Sequence, residues 1–210
     1  VIRLVLATKN PGKARDMQHL LGDAFALVSL PADAPEVDET GLSFEDNAVL
    51  KARAAAALLG LPAIGDDSGL EVEVLGGAPG VRSARYAADE VAPGTERHAV
   101  DAANNAKLLA ALAGVPRERR AARFRSSLAF VDGATVLTAS GACPGEILEA
   151  ARGQGGFGYD PLFFSPELGM TFAEADLAAK ARVSHRARAA AALVPVVAAH
   201  FRVAKAGERT

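Results

Sequence analysis

The sequence predicts an α/β fold over residues 1–210, as one domain or two interlocked lobes, built on a mixed sheet flanked by helices, and three observations carry that prediction. The first is a strand, loop and helix at the start: residues 1–8 are apolar and β-branched, "NPG" punctuates them, and Ala14, Met17, Leu20 and Leu21 of "KARDMQHLL" recur at helical spacing. The second is the alternation from "ARFRSSLAFV" through "DG" to "ATVLTASGA", which predicts a β-hairpin and makes the sheet partly antiparallel. The third is bulk composition. Half of the 210 residues are hydrophobic, enough to bury a substantial core, and neither an internal repeat nor a linker divides the chain.

The remaining elements follow in order. "FALVSL" reads as a second short strand, and residues 31–42, rich in Pro, Asp and Glu, keep no apolar period and read as an acidic loop. Ser43 is placed to cap a helix through "FEDNAVLKARAAAALLG", with Glu45 and Asp46 in its first turn and Gly60 and Pro62 closing it. Strand-like "AIGD" and "LEVEV" flank the acid pair Asp66 and Asp67, "LGGAPGVRSARYA" reads as a glycine-rich loop, and residues 95–114 as a third helix. After the hairpin, "GEILEA" is a candidate strand and "RGQGGFGYDPLFFSPELGMTF" a long loop, a length that usually has a function. Ser184 is the expected cap of the last helix, "HRARAAAALVPVVAAHF".

Charge and cysteine usage narrow the partners. A net charge of −2 argues against a broad basic face for nucleic acid while leaving room for a small polyanion. A single cysteine, Cys143, excludes an intrachain disulfide and a cysteine-rich metal cage, and points to a reducing, cytoplasmic setting. "VIRLVLATKN" is too short an apolar run for a signal peptide, and the alanine-rich runs are interrupted well before bilayer-spanning length, so no membrane partner is expected.

Four stretches carry candidate chemistry. "ATKNPGK", residues 7–13, lies between a strand and a helix; a phosphate-binding P-loop would need Gly at 7 and Ser or Thr at 14, where the chain has Ala7 and Ala14. What survives is a set of anion-facing groups, Thr8, Asn10, the amides near Gly12 and Lys13, without the hydroxyl that holds magnesium. "DDSG" reads either as a solvated turn or as a magnesium site completed by substrate phosphates; if the strand persists to Asp67, only one acid faces a given pocket. Glu39 is a further candidate ligand. "GQGGFG" satisfies GxGxxG, but Pro161 prevents the helix that a dinucleotide fingerprint must open; the alternatives are a loop approaching a ligand, with Phe157 or Tyr159 stacked on a flat ring, or aromatics of the core. Finally, Lys180, Arg182, His185, Arg186 and Arg188 cluster at a helix start, where cations oppose the macrodipole and are better explained by an adjacent anion or acceptor.

Taken in order, "TKNPGK", "SFEDNAVLKA", "DDSGLEVEVLGGAPGVRSARYA", "GGFGYDPLFF" and "SHRARA" make a chain that resembles the inosine triphosphate pyrophosphatase family, over about residues 1–201. The resemblance implies an elongated mixed central sheet with two lobes and an active-site cleft between them, a homodimer, and magnesium-dependent hydrolysis of ITP, dITP and XTP to the nucleoside monophosphate and pyrophosphate. It implies that Thr8, Lys9, Asn10, Pro11, Gly12, Lys13 and Lys51 contact the triphosphate, that Asp67 is the metal-linked catalytic acid, and that Ser68 touches substrate. By the same resemblance Phe157, Gly158, Tyr159 and Asp160 line the nucleoside site, Lys180, His185 and Arg186 address the purine edge, and Glu39 is a further Mg²⁺ ligand, with Asp66 either another ligand or a residue shaping the turn. The chain departs from the family pattern at Ala179, Met170, Ala187 and Arg82, none of them at the metal acid. Other classes fit less well: a P-loop kinase lacks its loop, a regulatory nucleotide module needs no acids at the phosphates, and "DDSGL" is not the G-x-S-x-G of a serine hydrolase.

Overall fold

The computed structural model describes residues 2–22 and 24–207. Seven strands form one open sheet in the order β2-β1-β3-β4-β5-β6-β7: β1 Arg3–Ala7, β2 Ala26–Ser29, β3 Ala63–Val72, β4 Ala121–Asp132, β5 Thr135–Ile147, β6 Phe163–Ser165 and β7 Met170–Thr171. Five α-helices accompany them: α1 Pro11–Leu21, α2 Phe44–Leu59, α3 Arg97–Ala111, α4 Leu177–Val183 and α5 His185–Gly207. The sheet is mixed, because β1 runs parallel to β2 and β3 while β5, β6 and β7 pair antiparallel. Among the described residues no helix is long and apolar enough to cross a membrane.

The chain divides into two compact units, the first comprising residues 1–67, 126–141 and 185–210, the second 68–125 and 142–184. In the first unit the period of two along each strand sorts side chains between two cores. Leu4, Leu6, Ile64, Leu128 and Phe130 pack with Met17 and Leu21 of α1 and Leu193 and Val197 of α5. The alternate residues pack against α2: Val5, Ala7 and Ala63 with Ala55, and Ala129 and Val131 with Ala48 and Ala52. Alanine on α2 at helical spacing, facing Gly65 of β3, lets helix and strand backbones lie close together. A Cβ at Gly65 would stand 2.1 Å from the Ala48 carbonyl oxygen and 2.9 Å from the Ala52 nitrogen.

Ser43 caps α2 as the sequence predicts, the Asp46 side chain completing a capping box, and Gly60 closes the helix in the left-handed conformation. The hairpin is also as expected, with β4 and β5 adjacent and Gly133 at positive φ in a two-residue turn. Three details differ. "GEI" belongs to β5 rather than to a separate strand; the long loop contains β6 and β7; and α4, capped by the Asp176 side chain, precedes the last helix and is separated from it by Ser184 in extended backbone. In the second unit Leu70, Leu108, Ile147 and Leu162 surround the rings of Phe124, Phe163 and Phe172, whose centroids lie 4.5–5.7 Å apart.

The Gly65 contact generates a test. Gly65→Ala is expected to lower unfolding free energy by about 1–3 kcal/mol through overpacking against α2, read as a lower urea midpoint at unchanged slope; a wild-type midpoint would show that the seam has room to spare.

Candidate active site

Strand β3 does not break at the acid pair: it runs through Asp66 and Asp67 without a turn. The turn reading of "DDSG" is therefore corrected, and strand alternation separates two neighbouring carboxylates onto opposite faces of the first unit. Asp66 has the parity of Ile64 and meets residues of α1 and α5, whereas Asp67 has the parity of Ala63 and meets α2.

On the first face the Asp66 side chain is fully buried. Its Oδ2 takes Arg186 Nε at 3.0 Å and Lys13 Nζ at 3.1 Å, and its Oδ1 accepts a 2.8 Å bond from the Ser126 hydroxyl. Arg186, at the start of α5, also reaches Asp16 of α1 through Nη1 at 3.0 Å. Burial alone would raise the Asp66 carboxyl, but Arg186 and Lys13, with Lys51 farther off, outweigh it and hold the carboxyl far below the usual carboxylate range. Burial lowers the Lys13 ammonium, with Asp66 opposing.

On the second face the balance is reversed. Lys51 Nζ stands 2.6 Å from Asp67 Oδ1 and 2.9 Å from Glu39 Oε1, and Asp67 Oδ2 accepts from the Asn47 amide at 3.3 Å. Asn47 and Lys51 share a face of α2 at i, i+4. The Asn47 side-chain oxygen Oδ1 in turn accepts from the Gly41 amide at 2.8 Å, tying the acidic loop to the same helix. Two carboxylates around one ammonium leave this cluster with an excess negative charge. Burial, joined by Glu39, pushes the Asp67 carboxyl up against the opposing pull of Lys51; for Lys51, burial is outweighed by the two carboxylates and its affinity for its proton rises too.

The strand-to-helix loop before α1 is largely occupied with its own hydrogen bonds. Asn10 is the N-cap of α1, its side-chain oxygen accepting from the Gly12 and Lys13 amides at 2.9 and 3.2 Å, and Pro11 occupies the first helical position. The Asn10 amide donates to the Thr8 hydroxyl at 3.1 Å, and Lys9 Nζ donates to the Ala34 carbonyl. The anion-facing amides expected at Gly12 are thus capped, and the charge this loop presents is that of its lysines.

The second unit holds the other predicted residues. Ser68 follows Asp67 on β3, half-buried. Asp160 Oδ2 takes Lys180 Nζ at 2.6 Å and the Phe157 amide at 2.9 Å, and the Lys180 ammonium lies 4.9 Å from the Phe157 ring centroid and 5.3 Å from that of Phe172. The buried Tyr159 hydroxyl donates to the Ser83 carbonyl at 2.9 Å, and burial pushes its ionisation well above the normal range. Gly158, at φ +61°, is held by α3: its amide donates to Asp101 Oδ2 and its carbonyl accepts from Asn105 Nδ2, both at 2.8 Å. Gly153 and Gly155 lie against the Ala173 backbone, which explains the glycines of "GQGGFG" without a dinucleotide.

The structure therefore gathers Lys13, Asp66 and Arg186 into one cluster, Glu39, Lys51 and Asp67 into a second, and Phe157, Gly158, Asp160 and Lys180 into a third. His185 is buried beside Arg186 at the start of α5. Arg186 is not an open donor projecting from that helix start: it is buried in ion pairs with Asp66 and Asp16. Sequence reasoning missed Asp16, Asn47, Asp101, Asn105 and Ser126. For Asn47 a signal existed, since it sits one helical turn before Lys51. Among the described residues no group of three or more His, Cys, Asp or Glu side chains is arranged to hold a metal on its own.

The sequence model of the Ham1 family matches residues 4–196. A dITP/XTP pyrophosphatase of Geobacter sulfurreducens is 52% identical over 195 residues, covering 91% of this chain and 94% of the relative, and one of Mannheimia succiniciproducens is 50% identical, covering 91% and 96%. Among solved structures, a HAM1 protein from Coxiella burnetii superposes with a TM-score of 0.80 at 37% identity, covering 94% of this chain and 99% of that one.

The Asp66 cluster generates a stability prediction. Asp66→Ala leaves the Arg186 and Lys13 cations facing no carboxylate at that point and is expected to cost about 3–5 kcal/mol. The apolar pair Asp66→Leu with Arg186→Met is expected to recover part of that loss in urea titration; a double variant weaker than the sum of the singles would refute the ion-pair reading.

Proposed function

The chain belongs to the Ham1 family, and from that premise we propose that it is a dITP/XTP pyrophosphatase, a hydrolase that splits dITP, XTP and ITP into the nucleoside monophosphate and pyrophosphate. The observation that carries the reading is the contrast between Asp66 and Asp67. Asp66 is committed to Arg186, Lys13 and Ser126, whereas Asp67, on the opposite face beside Lys51 and Asn47, is the carboxylate placed to orient and deprotonate water, and with a divalent cation beside it that positioning counts for more than basicity.

In this reading water attacks the α-phosphorus, the bond to the bridging oxygen of the β-phosphate breaks, and pyrophosphate leaves. Asp67 orients the water and takes its proton. Lys51, at 2.6 Å, keeps the Asp67 carboxylate in place and, with Lys13, supplies positive charge to the triphosphate. Thr8, Lys9, Asn10, Pro11 and Gly12 form the phosphate-side loop, with Asn10 shaping it as a cap. Arg186 and Asp66 hold β3 to α1 and α5, which fixes the strand that carries Asp67.

The donor set on the Asp67 face fits magnesium: Asp67 and Glu39 offer only hard oxygen ligands, and Mg²⁺ is commonly held by one or two carboxylates completed by substrate phosphates rather than by an all-protein cage. These two residues would hold the ion, whose contribution is to neutralise phosphate charge. Asp66 is committed to Arg186, Lys13 and Ser126, which argues for an anchoring part rather than a ligand part.

Nucleoside recognition is assigned to Ser68, Phe157 through Asp160, Lys180 and His185. Hypoxanthine and xanthine carry an oxygen acceptor at C6, and an ammonium such as Lys180 is a donor only, so adenine's amino group would leave it unmatched. Lys180 is aimed by Asp160 and the Phe157 ring, and Phe157 is the half-buried aromatic of the set. A homodimer in the cytoplasm completes the proposal, on the resemblance and the single reduced cysteine.

Two measurements test it. Asp67→Asn is expected to cut pyrophosphate release from dITP by about 100-fold or more while keeping a folded circular dichroism spectrum; near-wild-type turnover removes Asp67 from the reaction. Across a panel of triphosphates, kcat/KM for dITP and XTP is expected to exceed that for ATP by on the order of 100-fold, with pyrophosphate rather than phosphate as product; equal values would refute base-edge recognition.

A further inference from the structure

We propose that Asp101 and Asn105 of α3 are positioning residues for the nucleoside end of the substrate, acting through Gly158. The inference rests on the pyrophosphatase reading. Asp101 and Asn105 stand at i, i+4 on one face of α3, and together they hold both polar groups of one residue: the Gly158 amide donates to Asp101 Oδ2 at 2.8 Å, and the Gly158 carbonyl accepts from Asn105 Nδ2 at 2.8 Å. Asn105 Nδ2 also donates to the Asp101 carbonyl at 2.7 Å, which ties the two grips to each other, and Arg97 Nε lies 3.0 Å from Asp101 Oδ1 as an ion pair without hydrogen-bond geometry.

Gly158 is one of several positive-φ glycines in the loop, at φ +61°, with open space where a Cβ would stand. Its conformation sets the relative directions of Phe157 before it and of Tyr159 and Asp160 after it. The other ends of this loop are fixed separately: Phe157 and Asp160 to each other and to Lys180, and Tyr159 to Ser83. Gly158 is the segment between those anchors, and α3 supplies its restraint. A carboxylate accepting from an amide is the stronger kind of hydrogen bond, so Asp101 carries more of the grip than a neutral pair would. Loosening Gly158 widens the range of directions open to the Phe157 ring relative to the Asp160–Lys180 pair, which keep their own contacts, and leaves every contact of Asp67 untouched. The consequence is a binding defect more than a chemical one.

The experiment compares wild type with Asp101→Ala, Asn105→Ala and the conservative Asp101→Asn, each checked by circular dichroism. Pyrophosphate release from dITP gives KM and kcat, and amide hydrogen exchange over residues 155–162 gives the mobility of the loop. Both alanine variants are expected to raise KM about tenfold with kcat within about threefold of wild type, and to exchange faster over that segment. Asp101→Asn, which keeps an acceptor oxygen for the Gly158 amide, is expected to restore KM to within about threefold of wild type. Unchanged KM in the alanine variants, or a fall in kcat with KM unmoved, overturns the inference. If the alanine variants do not fold, Asn105→Asp decides: with an acceptor facing the Gly158 carbonyl it must raise KM where Asp101→Asn does not, and equal behaviour overturns the inference. A wild-type protein that releases no pyrophosphate from dITP overturns the activity itself and this inference with it, a result that no pattern among the variants can mimic.

Discussion

The structure of the first unit depends on one constraint: successive residues of a β-strand point to opposite faces. Because β3 stays extended through Asp66 and Asp67, two carboxylates joined by a single peptide bond inhabit different chemical surroundings. One meets Arg186 and Lys13 and is a fixed anion. The other shares a single ammonium with Glu39 and has a raised affinity for a proton. A turn at this point, which the residues "DDSG" invite, would have placed both acids in one environment and removed the difference. The strand persists because each side chain finds partners on its own face, Ser126, Lys13 and Arg186 on one and Asn47 and Lys51 on the other.

That division explains which features were legible in the sequence. Local signals were read correctly: the Ser43 cap, the Gly133 turn of the hairpin, the strand, loop and helix at the start. Each depends on residues within a few positions of one another. The short elements β6, β7 and α4 escaped, because two or three residues do not establish a period and α4 has only seven. The site followed the same rule. The residues were named from motifs, yet the Asp66–Arg186 pair joins positions 120 apart and the Asp101–Gly158 bond positions 57 apart, and nothing in the spacing foretells either. Arg186 illustrates the point: its position at a helix start predicted an adjacent anion or acceptor without saying which, and its partners include the acids of β3 and α1.

The second unit solves a different problem. A loop rich in glycine has little to hold it, and here burial of Tyr159 and Asp160 is joined by many small restraints: an aspartate bonded to an amide three residues back, a tyrosine hydroxyl on a distant carbonyl, a helix face on one glycine. Such a loop can present an aromatic ring and a charged group with little conformational freedom left to lose on binding, which is the physical meaning of preorganisation.

The alanine seam of α2 carries a consequence beyond packing. Ala48 and Ala52 let the helix rest against Gly65, and the same helix carries Asn47 and Lys51, so the thickness of the seam sets how far an ammonium stands from Asp67. The electrostatic pull of Lys51 on that carboxylate varies inversely with the separation and grows as water is excluded. Methyl groups with no polar atom thereby act as a spacer that tunes basicity, and a change in side-chain volume at a purely apolar position becomes a change in acid-base chemistry at the other end of the helix turn.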